Sequence, residues 1–254
     1  MPTQSGQRIA LITGAARGIG LACAARLAHE DYRVVLTDRD AEALVAAARE
    51  IGPDALALPL DVTDEAAIGA AFDEAEAALG PVDVLVTSAG IMAGGTASVP
   101  IARMALADWE HTFRVNTTGT FLAMRAMLAR REARPVEAGR IVTISSAAAQ
   151  IGGYRGDAAY VASKAAVLGL TKIAARQAAA SGLTVNSVAA GPVDTPMFQS
   201  AMVPAAVPGL LEKIPLGRVG TPEEVASMVA YLAGPEAGWI TGATFDVNGG
   251  YRMQ

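Results

Sequence analysis

The sequence predicts a single α/β domain built on a doubly wound parallel sheet of about seven strands, with helices on both faces. Three observations carry that reading. Short, nearly continuous apolar runs such as Arg8 to Thr13, Arg33 to Thr37 and Val82 to Val86 read as strands buried on both sides of a sheet. Alanine-rich amphipathic stretches alternate with them, beginning with Leu21 to Glu30. Between the first strand and the first helix lies the turn Thr13-Gly14-Ala15-Ala16-Arg17-Gly18-Ile19-Gly20. Its glycines let backbone N–H groups approach a pyrophosphate at the helix N-terminus.

Length and composition narrow the possibilities further. At 254 residues the chain is within the reach of one α/β domain, and residues 1–254 are read as one unit. Hydrophobic residues make up 52% and charged residues 18%, which leaves a thin solvated face of the kind that subunit contacts cover. A net charge of −5, with no basic run longer than Arg130-Arg131, argues against nucleic-acid binding. Met1 to Gln7 lacks the apolar centre of a signal peptide, and no uninterrupted apolar run reaches the roughly eighteen residues of a membrane span. A cytoplasmic protein without a membrane segment is expected. Cys23, alone of its kind and in an alanine-rich helix, reads as a small buried hydrophobe. His29 and His111 have no Cys, His or paired carboxylate close by, so no metal site is expected. Trp109 and Trp239 read as core or interface residues.

Taken in order, the second strand ends at Asp38, about twenty residues beyond the glycine turn, where a dinucleotide fold places an acid for the adenosine ribose 2′-OH. The plainer reading is an N-cap for the helix beginning at Ala41, a place that Asp40 suits equally well. A 2′-phosphate about 5 Å from Asp38 would be repelled by roughly 3 kcal/mol per unit charge at an effective dielectric of 20, which favours NAD over NADP. Arg17 and Arg39 stand where a cation could meet that phosphate, so NADP stays open. Ala55 to Leu60 forms a third strand ending at Asp61-Val62, and Asp64 caps a helix that runs to Leu79 and stops at Gly80-Pro81. The fourth strand leads into Thr87-Ser88-Ala89-Gly90 at its carboxyl end, the edge beyond which ligands of such sheets lie. Ile91 to Met104 reads as a loop at the mouth of a cleft. Leu106 to Arg131 reads as one long helix interrupted by the polar cluster Val115-Asn116-Thr117-Thr118-Gly119, either a functional feature or a kink with a backbone-satisfied Asn. Arg130 to Arg140 reads as an exposed charged connector. Ile141 to Ile144, the fifth strand, delivers Ser145-Ser146 to the same edge as the glycine motifs.

Fourteen residues later stands Tyr160, four before Lys164, near the start of a helix expected to run to about Ala180. Positions four apart share a helical face, so the phenol and ammonium project side by side. A lysine charge at about 4–6 Å lowers a tyrosine pKa by roughly 1–3 units and makes Tyr160 an acid/base near neutral pH. With five Tyr and three Lys in the chain, random placement predicts roughly 0.06 such pairs, so context decides what the pair means.

With Thr-Gly-x3-Gly-x-Gly, Asp38, Asp61, the strand-five serine and Tyr-x-x-x-Lys in this order, the chain resembles the short-chain dehydrogenase/reductase family over nearly its whole length. Val115-Asn116-x-x-Gly119, Gly191-Pro192-Val193-Asp194-Thr195-Pro196 and Asp246-Val247-Asn248-Gly249-Gly250 agree as well. The resemblance implies a Rossmann fold and an NAD-dependent oxidoreductase interconverting a secondary alcohol and a ketone. Tyr160 would exchange the proton, Lys164 would lower its pKa and hold the nicotinamide ribose, and Ser146 would hydrogen-bond the substrate oxygen. Asn116 would position a water with Lys164. Gly14, Arg17, Gly18, Ile19 and Gly20 would hold the pyrophosphate and ribose, and Asp61 and Val62 the adenine. Ala89 and Gly90 would meet the adenosine side, Val193 and Thr195 the nicotinamide carboxamide, with Arg39, Ser88 and Pro192 also among the cofactor contacts. By analogy the substrate would meet Ile91, Met92, Tyr154 and Arg155 beneath a mobile lid at about residues 193–216, and the chain would form a homotetramer.

The chain departs from the family at three places. Thr87-Ser88-Ala89-Gly90 stands for Asn-Asn-Ala-Gly, Ala190-Gly191-Pro192 stands for the usual Pro-Gly, and the serine-to-tyrosine spacing is one residue longer than commonest. Between Ser145 and Ser146 the choice falls on Ser146. The alternatives are an NADPH-dependent ketone or 3-oxoacyl reductase and, from another class, a dinucleotide-binding sensor without chemistry. A sensor would be expected to lack one of the catalytic residues.

Overall fold

The computed structural model describes residues 7–92, 99–153 and 157–253. Seven parallel strands form one sheet in the order β3-β2-β1-β4-β5-β6-β7. They are β1 (Ile9–Thr13), β2 (Arg33–Asp38), β3 (Leu56–Pro59), β4 (Val84–Thr87), β5 (Arg140–Ser146), β6 (Thr184–Ala190) and β7 (Thr244–Val247). The chain runs outward from β1 to β3, then returns across β1 to β4 and continues the other way. That reversal between β1 and β4 opens a crevice at the carboxyl ends of the strands.

Alternation along each strand sorts the core into two layers. Ala10 and Ile12 of β1 face a layer closed by α1 (Gly18–His29), α2 (Ala41–Ile51) and α10 (Pro222–Ala233). Ile9 and Leu11 face the opposite layer, closed by α3 (Glu65–Leu79), α5 (Thr120–Ala133) and α7 (Ala158–Ala178). Because both faces of the sheet are covered, its central strands are buried along their whole length, and this is why they read as continuous apolar runs. Residues Ala158–Ser181 are long and apolar enough, by composition, to cross a membrane. Here that stretch packs on β5 and β6 and carries the buried Lys164.

The long helix expected over Leu106 to Arg131 is three pieces: α4 (Leu106–Phe113), a π-helical segment Arg114–Gly119, and α5. The interruption coincides with the polar cluster noted in the sequence. One extra residue per turn frees backbone groups there, and such bulges recur at functional sites.

The connector expected to be exposed from Arg130 to Arg140 is exposed in its middle, at residues 132–135 and 137, but buried at its ends. Helix α5 continues to Ala133, Arg131 is fully buried and ion-paired with Glu76 of α3, and Arg140 is buried as the first residue of β5. Burial pulls both guanidinium pKa values down, while Glu76 acts to hold Arg131 charged. Arg140 donates to the carbonyls of Gly139 and Gly234 at 3.0 and 3.3 Å. Such carbonyl-rich ends collect at the amino edge of the sheet, where a charged run in the sequence becomes internal packing. Cys23 is buried, its thiol pushed up to about 12 by desolvation, and its reading as a small hydrophobe holds. Trp109 stacks on Phe113 at 4.6 Å, whereas Trp239 is fully exposed and belongs to no core.

Candidate active site

The glycine turn closes by direct backbone contact. Gly14 has φ +67°, and a Cβ there would lie 2.6 Å from the Cα of Ala89; a Cβ on Gly20 would collide with the Gly14 carbonyl. The start of α1 therefore rests on the turn, and the turn rests on the end of β4. The Ala89 N–H donates to the Thr13 hydroxyl at 3.2 Å. The Thr87 hydroxyl, standing where the family has an amide, is buried and finds no hydrogen-bond partner among the described residues. Thr13, not Thr87, steadies this junction.

Asp38 is tied into the same structure. Its carboxylate accepts from the N–H of Ala16 at 3.2 Å and of Asp40 at 3.1 Å, joining the glycine turn to the end of β2. The N-cap of α2 is Asp40, which accepts from Ala43 N–H and is ion-paired with Arg17. Helices α2, α3 and α7 are capped by Asp40, Asp64 and Asp157, but α1 has no side-chain cap and no acid in its first turn. Its leading N–H groups face the crevice beside Gly18, where an anion would satisfy them. These residues fit the pyrophosphate and ribose of a dinucleotide.

At the neighbouring edge, Asp61 accepts from the backbone and hydroxyl of Thr63 at 2.9 and 2.8 Å. The Thr63 N–H is the largest cause holding its carboxyl below the usual range, with Arg39 and His111 acting in the same direction. Val62 lies against Gly119 of the π-helical segment, where a Cβ would come within 2.7 Å of the Val62 Cγ2. His111 and Arg114, three apart on one helical face, line the cavity beside them. Sequence reading missed both. Their only signal was spacing from Asn116, which separates lining from surface too weakly to use.

Strand β5 delivers two serines to different tasks. Ser145 is buried and donates to the Lys164 carbonyl at 2.8 Å, while the Ser146 oxygen accepts from Ala148 N–H at 3.1 Å and its hydroxyl engages the Tyr160 phenol. Asp157 caps α7 through the Tyr160 N–H at 2.6 Å and so fixes where the phenol enters the cavity. Lys164, 4% exposed, donates from Nζ to the Ile144 carbonyl at 2.8 Å, and desolvation lowers its pKa to about 8. The expected downward shift of Tyr160 is not found. Burial raises its pKa, Ser146 acts to lower it, and Asp157 raises it further. With the ammonium directed at Ile144, desolvation of the phenolate decides the sign.

Asn116 is fully buried and does not line the cavity. Its amide exchanges two hydrogen bonds with the backbone of Ile91, at 2.8 and 2.9 Å, and donates to the Ser163 hydroxyl at 3.0 Å. The side chain thus staples the β4 loop to α7. Gly90 lies in the same junction: a Cβ there would stand 3.3 Å from Lys164 Nζ and 3.4 Å from the Asn116 amide oxygen.

Gly14, Arg17, Gly18, Gly20, Asp38, Asp61, Ser146, Tyr160 and Lys164 open on one cavity of about 980 Å³. Ile19, Arg39, Val62, Ser88 and Pro192 line it too. The Pro192 carbonyl accepts from Gly220 N–H at 2.9 Å, Val193 pairs with Gly220 in a short bridge, and Thr195 caps α8 (Pro196–Ala201) through Phe198 N–H. The wall contributed by residues 196–210 is apolar, with Met197, Phe198, Met202 and Leu210 lining the cavity together with Ile91 and Met92. Tyr154 and Arg155 lie outside the described residues.

Residues 14–252 match the family described as Enoyl-(Acyl carrier protein) reductase. The chain belongs to the short-chain dehydrogenase/reductase family and is an oxidoreductase. It is 38% identical to the 3-oxoacyl-[acyl-carrier-protein] reductase FabG of Escherichia coli K12 over 97% of this chain and 98% of that protein. It is 39% identical to the cis-4-hydroxycyclohexanecarboxylate dehydrogenase of Sinomonas cyclohexanicum over 96% of each. Among solved structures it superposes with a TM-score of 0.88 on a 3-ketoacyl-(acyl-carrier-protein) reductase from Brucella melitensis complexed with NADH, at 30% identity, covering 98% of this chain and 100% of that one.

The buried ammonium sets a pH dependence of stability. Lys164 titrates at about 8 folded against an ordinary 10.5, so between those values the unfolded chain binds more protons and stability rises with pH. The charge is a cost below pH 8 that is relieved by pH 10.5. Relative to Lys164→Met, the wild type should therefore gain on the order of 3 kcal/mol across that window. Urea unfolding midpoints at several pH values measure it, and a difference that stays constant with pH would mean the ammonium is solvated.

Proposed function

We propose that the protein is an NAD-dependent oxidoreductase interconverting a secondary alcohol and a ketone. The observation that carries this is the convergence of Ser146, Tyr160 and Lys164 on the cavity that the glycine turn and Asp38 also line. When bound, the nicotinamide exchanges a hydride with the substrate carbon. In oxidation the alcohol O–H proton would pass to the Tyr160 oxygen in its phenolate form as the C=O bond forms. In reduction the same oxygen returns the proton. Ser146, the group that acts to lower the Tyr160 pKa, holds the substrate oxygen as charge builds on it. A phenol kept protonated by burial is a ready donor in the reducing direction. Asn116 acts as a positioning residue through Ile91 and Ser163. The segment at 193–216, built of short helices over the apolar side of the cavity, serves as the lid.

For the cofactor, the support is electrostatic. The Asp38 carboxylate is fixed by two backbone N–H groups at the cavity edge, while the nearby Arg17 is paired with Asp40 and Arg39 acts on Asp61. Both cations already face acids, so a 2′-phosphate would meet the Asp38 charge first. The NADPH reading keeps one observation in its favour: Arg39 is exposed and lines the cavity. The relatives named above act on a 3-oxoacyl group and on a hydroxycyclohexane acid, and both are carbinol/ketone pairs that this site could accept.

A homotetramer is the assembly that fits the exposed apolar side chains Leu106, Phe121 and Ile173 on α4, α5 and α7. Sedimentation velocity at micromolar concentration should show one species near four times the 25.9 kDa chain mass; a stable monomer would contradict it. Tyr160→Phe should lower kcat at least about 10³-fold while NADH affinity changes little, because only the proton-exchanging oxygen is lost. Near-normal turnover would refute the mechanism. Asp38→Asn should reduce the preference for NADH over NADPH by about 100-fold, the equivalent of roughly 3 kcal/mol of relieved repulsion. Fluorescence titration with the two reduced cofactors reads that ratio, and an unchanged ratio would move specificity elsewhere.

A further inference from the structure

We infer that the substrate is an uncharged ketone or carbinol carrying an apolar alkyl or aryl arm, and that residues 196–210 form the wall against which this arm packs. The inference rests on the oxidoreductase reading above and adds the substrate class to it. It starts from how charge is distributed over the cavity lining among the described residues. Arg17, Asp38, Arg39, Asp40 and Asp61 follow β1, β2 and β3, at one end of the crevice. There Arg17 pairs with Asp40, Asp38 accepts from the glycine turn, and Arg39 and His111 act on Asp61. Arg114 lies three residues beyond His111, on the same helical face.

The other end contrasts with this. Residues 196–210 follow β6 and bring Met197, Phe198, Met202 and Leu210 to the lining, with the small side chains of Ala205 and Ala206 among them. The segment is pinned at both ends. At its start Thr195 caps α8 and rests beside the glycine turn, where a Cβ on Gly18 would lie 3.5 Å from the Thr195 Cγ2. Past α9 (Val207–Leu211) its base is seated on the C-terminal hook that follows β7: Leu216 N–H donates to the Gly249 carbonyl at 3.1 Å, and Cβ atoms on Gly249 and Gly250 would come within 2.9 Å of Ile214 and Pro215. Both glycines have positive φ, +64° and +84°, so this approach depends on their lack of side chains. Although the backbone is held, the wall is left incompletely covered: Met197 is 36% exposed, and Phe198 and Met202 are half-buried. Apolar surface left open in a cavity marks a place for an apolar ligand. Lys213, which lines the cavity beyond the end of this wall, is already engaged in an interaction of its own.

The lining beside the reacting groups continues the same chemistry. Ile91 and Met92 join it from the loop after β4, and Ala147 and Ala148 from the turn after Ser146. Ile91 is fixed near Lys164: its N–H donates to the Asn116 amide oxygen at 2.8 Å, and a Cβ on the preceding Gly90 would stand 3.3 Å from Lys164 Nζ. The Lys164 ammonium itself is spent on the Ile144 carbonyl. An apolar arm gains with every methylene that it moves out of water onto such a surface. A carboxylate on the same arm would lose hydration against a wall that, among the described residues, offers it no cation. Methionine and phenylalanine side chains adapt to the outline of the arm, so the wall selects a class rather than one shape.

The test uses the full chain with NADH, the 2-alkanones from 2-butanone to 2-octanone, and 7-oxooctanoate, in which a carboxylate replaces the terminal methyl of 2-octanone; nicotinamide absorbance reports turnover. In the wild type kcat/KM should rise about 2- to 4-fold per added methylene. It should be about 30-fold or more higher for 2-octanone than for 7-oxooctanoate, and the methyl ester of the acid should recover most of that loss. Met202→Lys, which sets a cation in the wall, should shift the ratio between the two probes toward the acid about 10-fold or more. Equal kcat/KM for 2-octanone and 7-oxooctanoate, a flat response to chain length, or an unmoved ratio in folded Met202→Lys protein would overturn the inference while leaving the oxidoreductase reading intact. So would reduction of the keto acid or of a short 3-oxoacyl thioester with no alkanone reduced. Failure to turn over any of these probes or cyclohexanone, with NADH or NADPH, would overturn both readings.

Discussion

The Lys164 ammonium lies beneath the carboxyl rim of the sheet with the Ile144 carbonyl at 2.8 Å, and much of the surrounding structure follows from keeping it there. A buried charge is costly unless its neighbours are fixed in place to meet it. Helix α7 is accordingly fastened on three sides around that residue. Ser145 of β5 donates to the Lys164 carbonyl, Thr117 donates to the Ser163 carbonyl at 3.1 Å, and Asn116 donates to the Ser163 hydroxyl. Asp157 fixes the start of the helix about two turns earlier. The same fastening that makes the ammonium tolerable also holds the phenol of Tyr160 at the cavity wall.

The parts of this architecture legible in the sequence are those that depend on local chemistry. A strand buried on both faces must be apolar throughout, and a tight turn against another backbone must be glycine. Each leaves a mark in the residues that form it, as Leu11 and Gly14 show. The paired residues Tyr160 and Lys164 were legible for the same reason, since four positions along a helix make one face. Asp40 as the cap of α2 and the break at Asn116 also follow from side chains acting on nearby backbone.

What stayed hidden depends on partners far away in the chain. Arg131 reads as surface until Glu76 of α3 is brought beneath it, and Arg140 until the end of α10 presents its carbonyls. The sign of the Tyr160 shift was misjudged because helical spacing puts the ammonium on the same face without saying where it points. Here it points at Ile144, and burial wins. Asn116 stands out locally as a polar break in a helix, but its partners Ile91 and Ser163 lie 25 and 47 residues away and leave no mark beside it. Residues 214–216 and the C-terminal hook come together only because Gly249 and Gly250 carry no side chain.

The contact between Gly119 and Val62 has one further consequence. The loop after β3 and the break in the long helix touch at a point where not even a methyl group can be inserted. Neither element can shift alone: a displacement of the loop after β3 presses on the π-helical segment, and through Asn116 on the span that carries Ile91. Two regions separated by some sixty residues of chain are thereby packed without slack, so that any side chain at position 119 would have to displace Val62.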